Sequence, residues 1–276
     1  MSFNTKFLGS NYEISHPILN ESLSNVSLNS GEIFDFTHFS LAMNKEMRSA
    51  IYVASNIDKS KLVKINENRR YHFDEDRIGR ENQLGDEFYK NHGNGYDYDR
   101  GHLARRADLL WGSKAEAEAA QFDSCCYANI SLQHPKFHEV PWSTLENWIF
   151  NKTSEDILSK KLSIFAGPFY EDYSIVNNDL SDLKSYIPAG FWKTIFYIDE
   201  NQDLKCLSFI MYQNQYLPKG NLEGLIKLKP YQVSLNKISE YTGLEFEDSL
   251  YNADVFNSKE VKSDFNLIEN AKDLIF

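Results

Sequence analysis

Residues 98–108 read Tyr98-Asp99-Arg100-Gly101-His102-Leu103-Ala104-Arg105-Arg106-Ala107-Asp108. A histidine beside a glycine is by itself usually structural. Here Arg100 adds a fixed cation whose planar fork suits phosphate. Gly101 permits unusual backbone angles beside the imidazole, and Asp99 can orient a ring or a backbone group. Together they hold the content of a general-base site for an anionic substrate.

Downstream, the run from Asn129 through Gln133, His134, His138 and Trp142 to Glu146 carries the second concentration of chemistry. On a helix, a rotation of about 100° per residue leaves Trp142 about 40° and Glu146 about 80° from His138. His138 and Glu146 then share one broad face, as suits a metal ligand with a carboxylate that organises its waters. The alternative is an amphipathic helix with a histidine near its N-terminus and Trp142 and Leu145 in the core.

The elements around these segments follow from hydrophobic patterning. Phe34–Ala42, Ser49–Ser55, Leu162–Tyr170, Phe191–Ile198 and Lys205–Tyr212 read as strands. Asn56 and Asp58 supply turn chemistry after the second of these. Polar sequence with scattered glycine then predicts mostly loop up to Tyr98. Ser113 and Glu116 form a capping box that opens one helix. Another helix is expected from near His138 to about Asn151 with Pro141 in its first turn, and a third spans Val233–Tyr241, closed by Gly243. Strands and helices mix without a βαβ rhythm, which predicts an α+β domain. The expected organisation is an irregular N-terminal arm (1–30), one domain (31–255) and a C-terminal tail (256–276). In the tail, Leu267, Ile268, Ala271, Leu274 and Ile275 fall at helical spacing and predict a short helix.

Composition narrows the function classes. The 276 residues carry a formal charge of −11, which disfavours coating nucleic acid through bulk charge. Residues 61–114 nevertheless hold eleven Lys or Arg against ten Asp or Glu, so the least acidic part of the chain contains its most unusual motif. No apolar run approaches the ~20 residues of a membrane span. The N-terminus lacks a secretory h-region, and Cys125, Cys126 and Cys206 cannot form a disulfide framework, so a cytoplasmic location is expected. Cys125-Cys126 reads as buried filler rather than a metal pair, and His72, His92 and His134 as surface or hydrogen-bonded histidines. The sixteen tyrosines and nineteen phenylalanines are mostly core, with a few available to stack on bases.

DRGH at 99–102, followed by Asn129 and by the W-x-x-L-E pattern at 142–146, resembles the DNA/RNA non-specific endonucleases. These are relatives of Serratia nuclease and endonuclease G with a ββα-metal, or His-Me finger, core. The likeness extends through FTHFSLAMN, SNID, RYHFDEDRI, RRADLLWG, FAGPFY, IPAGFWKTIFY and TGLEF, over about residues 34–246. It implies a central mixed or antiparallel sheet flanked by helices, and hydrolysis of DNA, RNA or both to 5′-phosphate and 3′-hydroxyl ends.

Residue by residue, the resemblance makes His102 the general base, and Arg100 keeps the phosphate role read from its own chemistry. An upstream Arg, here Arg70 with Arg69 nearly as well spaced, would be a further phosphate contact. Asn129 matches an Asn near the site, and Glu146 matches the Glu that steadies water on the metal. His138 stands where the family has its Asn ligand to Mg²⁺. An imidazole there keeps a divalent ion but moves preference towards Mn²⁺ or other transition metals. The competing expectation is a nucleic-acid-binding pseudonuclease. A nuclease inside the cell also needs restraint by an inhibitor, an activator or a homo-oligomer, as in a defence or toxin role, and the tail is a candidate for that contact.

Overall fold

The chain builds a sheet that is buried on both faces, because its central strands are apolar at successive positions rather than at alternate ones. The computed structural model describes residues 1–65, 71–89, 98–137, 142–152, 160–171, 174–178, 183–213, 229–257, 263–269 and 271–276. The strands are β1 (Ile18–Leu19), β2 (Ile33–Phe36), β3 (Phe39–Asn44), β4 (Ser49–Asp58), β5 (Asp99–His102), β6 (Ile130–Gln133), β7 (Lys161–Phe169), β8 (Ser174–Asn178), β9 (Leu183–Ile187), β10 (Gly190–Ile198), β11 (Leu204–Tyr212), β12 (Tyr231–Val233), β13 (Leu244–Glu245) and β14 (Asn266–Leu267). The helices are α1 (Glu21–Val26), α2 (Lys114–Asp123), α3 (Pro135–Phe137), α4 (Ser143–Lys152), α5 (Leu235–Thr242) and α6 (Asp248–Asn252).

Among the described residues the main sheet has the order β14-β12-β11-β10-β7-β4-β3-β2, and its neighbours pair antiparallel. β5 with β6, β8 with β9 and β1 with β13 form separate two-stranded pairs. The α+β class expected from the sequence is therefore the observed one.

Side-chain alternation divides the sheet into two faces. Leu41, Val53, Ile164, Phe191, Ile195 and Phe209 pack against the segment between β4 and β7, which contributes Leu103, Leu109, Phe137, Trp142, Leu145 and Ile149. Tyr52, Phe165, Trp192, Phe196 and Ile210 pack on the other face against Leu235, Ile238 and Leu250 of α5 and α6 and against Phe3 and Ile14 of the arm. Burying each large apolar side chain contributes roughly 1.5–3 kcal/mol, so both layers hold the sheet.

Several expectations are corrected. The run 34–42 is two strands, broken at Thr37-His38, where His38 takes a left-handed backbone (φ 69°). Its ring stacks on Trp111 and its Nδ1 meets the Leu109 carbonyl at 2.8 Å. Asn56 lies inside β4, held by Ser163 and by the Asn4 amide. The turn chemistry falls to Asp58, whose carboxylate accepts from the Ser60 N–H. The arm is not irregular throughout. Asn20 caps α1 through the Leu23 amide, and β1 pairs with β13.

The tail departs most. It forms β14 and a 3-10 turn at Ala271–Asp273 rather than a helix. Ile268 donates to the Pro230 carbonyl, and the Gln232 amide brackets Ile275 by accepting from its N–H and donating to its C=O. A short isolated helix is marginal in water, whereas the open edge of β12 offers partners for these backbone groups. Gly243 closes α5 in the left-handed conformation (φ 75°), and Ser113 and Glu116 form the expected capping box.

Candidate active site

The motif at 99–102 forms β5 because β6 pairs with it residue by residue: Asp99 with Gln133, Arg100 with Leu132, Gly101 with Ser131 and His102 with Ile130. The two-residue period puts Arg100 and His102 on one face and Asp99 and Gly101 on the other. Gly101 has extended backbone, not the unusual angles expected from the sequence. Its requirement is steric: a Cβ at this position would overlap the side chain of Gln133, its cross-strand diagonal neighbour. Gln133 is fully buried, and its side-chain amide makes no hydrogen bond among the described residues.

Asn129 is fully buried at the entry to β6. Its Oδ1 accepts from the Ala104 N–H at 2.8 Å, and its Nδ2 donates to the carbonyls of Ala104 (3.1 Å) and Ser124 (3.0 Å). The Leu103 N–H donates in turn to the Asn129 carbonyl. Asn129 therefore clamps the chain leaving His102.

His102 is half-buried. Its ring lies 6.0 Å from that of His72, which in turn lies 5.7 Å from Tyr127. Arg100 pairs with Asp86 and sits over the Tyr89 ring at 5.4 Å, while the Tyr127 hydroxyl donates to the same Asp86 oxygen. Burial opposes the Arg100 charge, but the hydrogen bonds with Asp86 and Tyr127 outweigh it and raise the guanidinium above its ordinary value. A phosphate approaching Arg100 must share it with Asp86.

Glu146 occupies the first turn of α4, and Leu145 and Ile149 of that helix enter the core together with Trp142 just before it. The carboxylate is buried. Its Oε1 accepts from Lys193 Nζ at 2.8 Å, and its Oε2 lies 3.7 Å from Arg105 Nε. Arg105 also faces Asp108 at 3.6 Å and donates to Asn147. Burial pushes the Asp108 carboxyl up to about 6, against the pull of Arg105 and Lys193.

Of the residues expected from the sequence, β5 carries Arg100 and His102 on one face and Asp99 on the other, Asn129 stands at the entry to β6, and Glu146 stands on α4. His138 and Arg70 lie outside the described residues. Sequence reasoning missed Lys193, Arg105, His72 and Cys125 as neighbours of these groups. Lys193 had a signal, since a single charge inside the apolar run GFWKTIFYI must find a buried partner. Cys125 was read as filler, yet its Sγ and one nitrogen each of His72 and His102 lie within 4.8 Å of one another.

Comparisons with known proteins bear on the family and the fold. A family model for the DNA/RNA non-specific endonucleases matches residues 20–253. The chain is 31% identical over 244 residues to protein y4fB of Sinorhizobium fredii, covering 82% of this chain and 35% of that protein. Mitochondrial endonuclease G of Bos taurus is 22% identical over 160 residues, covering 55% of this chain and 48% of that one. The Homo sapiens enzyme is 21% identical over 219 residues, covering 75% and 66%. The chain thus spans about a third of the Sinorhizobium relative and about half to two thirds of the mitochondrial ones. A solved structure of the EndoG/EndoGI complex, concerned with EndoG inhibition, superposes with a TM-score of 0.56 at 16% identity, covering 86% of this chain and 94% of that one. That likeness is one of fold, and the family match over most of the chain adds lineage: this chain belongs to the DNA/RNA non-specific endonuclease family.

Proposed function

We propose that the protein is a metal-dependent endonuclease that hydrolyses phosphodiester bonds of DNA, RNA or both, leaving 5′-phosphate and 3′-hydroxyl ends. The observation that carries this reading is the antiparallel pair β5–β6 bearing a half-buried His102, followed by a helix whose first turn carries Glu146.

His102 accepts the proton of a water beside the phosphorus, and the resulting hydroxide attacks in line with the departing 3′ oxygen. Arg100, with Arg70 as a second cation, neutralises charge growing on the phosphate. Asn129 fixes the backbone behind His102, so that the base does not drift from its working position. Asp99 borders the site on the opposite face of β5.

The chemistry around Glu146 supports the divalent-ion reading. Its Oε1 is committed to Lys193, but Oε2 is 3.7 Å from Arg105, beyond hydrogen-bond distance. That oxygen keeps an acceptor position for a water in an ion's shell. His138 would hold the ion directly and Glu146 through water. When bound, Mg²⁺ or Mn²⁺ supplies charge neutralisation and eases departure of the leaving oxygen. With an imidazole ligand, Mn²⁺ is expected to support activity better than Mg²⁺.

A second reading, a nucleic-acid-binding pseudonuclease, draws on the engagement of Arg100 by Asp86 and of Glu146 by Lys193. One experiment separates them: digestion of plasmid and RNA by wild type and His102→Ala, with and without EDTA. The nuclease reading expects cleavage that EDTA abolishes and that His102→Ala lowers ~10²–10⁴-fold with binding retained. Binding without cleavage by wild type selects the pseudonuclease.

A further inference from the structure

We propose that His72, His102 and Cys125 form a second metal site, distinct in its donors from the one on His138 and Glu146, through which a thiophilic ion such as Zn²⁺ switches the nuclease off. The inhibitory part of this proposal rests on His102 being the base.

Two ring nitrogens and one sulfur converge, all within 4.8 Å of one another. Zinc bonds of ~2.0–2.3 Å would bring them to roughly 3.3–3.8 Å, a change of about 1 Å that side-chain rotation can supply. The backbone already holds all three segments in place. Phe73, next to His72, pairs with Cys126 in an isolated parallel bridge, with Phe73 N–H donating to Cys125 C=O and Tyr127 N–H donating to Phe73 C=O. His102 is tied to the same region by its β5–β6 pairing with Ile130 and by the Asn129 clamp. Cys125 is buried and forms no disulfide, while both imidazoles are half-buried, so an ion can enter from the histidine side.

The donor set chooses the ion. Imidazole and thiolate favour Zn²⁺ and other soft or borderline ions over Mg²⁺ and Ca²⁺, which prefer oxygen. Binding releases the Cys125 thiol proton to solvent and ties up a lone pair on each imidazole. With its lone pair on the ion, His102 can no longer accept a proton from water. Three protein ligands leave one position for water or an anion, and neither restores the base.

The test uses the full reduced chain. Co²⁺ added to wild type should give a thiolate-to-cobalt charge-transfer band at one equivalent, displaced by Zn²⁺, absent in Cys125→Ser and weakened in His72→Gln. Cleavage supported by Mg²⁺ or Mn²⁺ should be inhibited by Zn²⁺ in wild type. Both variants should need at least ~10-fold more Zn²⁺ for the same inhibition, while their zinc-free rates match wild type. No thiolate band, or inhibition curves that both variants leave unmoved, overturns the site. A band that Cys125→Ser removes, in a protein whose cleavage ignores Zn²⁺, upholds the site and overturns His102 as base.

Discussion

Lys193 Nζ on β10 lies 2.8 Å from Glu146 Oε1 in the first turn of α4, and both side chains are buried. The pair joins the central sheet to the helix that borders the site, and Arg105 approaches the same carboxylate from the β5 side. The charges are tolerable in the core only because they meet.

Lys193→Met should therefore cost about 3–5 kcal/mol of stability, since it strands a buried carboxylate with Arg105 alone. Adding Glu146→Gln to that variant should recover a large part of the loss in a denaturant titration. If Lys193→Met is as stable as wild type, the pair does not hold α4 to the sheet.

Gly101→Ala should unfold the protein locally or inactivate it, because the new methyl group would occupy the space of the Gln133 side chain. Shortening that side chain in Gly101→Ala/Gln133→Ala should restore much of the melting temperature. A double-mutant cycle reads the coupling, and equal, additive losses would refute the steric account.

Asp108 provides a pH-dependent signature. Its carboxyl titrates near 6 in the fold against an ordinary value of 3.8. The charged form thus carries a full penalty above about pH 6, which fades as pH falls and is gone below the ordinary value. Asp108→Asn should be more stable than wild type at pH 7, by up to about 3 kcal/mol, and lose that advantage by pH 4. Melting curves at several pH values check this, and a pH-independent difference would contradict it.

Deleting residues 257–276 removes β14 and the bracket between Gln232 and Ile275, and opens the edge of β12. It also removes Phe276, whose ring lies 6.3 Å from that of Trp148 on α4. A lower melting temperature is expected, with unchanged mass in light scattering. Altered assembly at unchanged stability would instead make the tail an intermolecular contact.

What could be read from the sequence was local in origin. The long apolar runs became β4, β7, β10 and β11, and Ser113 opened and Gly243 closed their helices where capping chemistry puts them. Trp142 and Leu145 enter the core as the amphipathic reading of their segment expected. What escaped was contact between distant segments: Lys193 with Glu146, His72 with Cys125, and Gln133 over Gly101. The tail was misread because helical periodicity counts apolar faces but cannot register an open sheet edge waiting for backbone partners.

Asp58 and Lys161 are cross-strand partners in β4 and β7, so everything between them, the proposed site included, is in topological terms the loop of one hairpin. A ribosome delivers that whole loop before the strand that completes the hairpin, and later still delivers Lys193. A growing polypeptide that stops short of β10 has its histidine, arginines and glutamate but no finished sheet to hold them. On the proposed nuclease reading, cleavage should thus arrive late in translation, and fragments that end before β10 should be harmless to the nucleic acid around them.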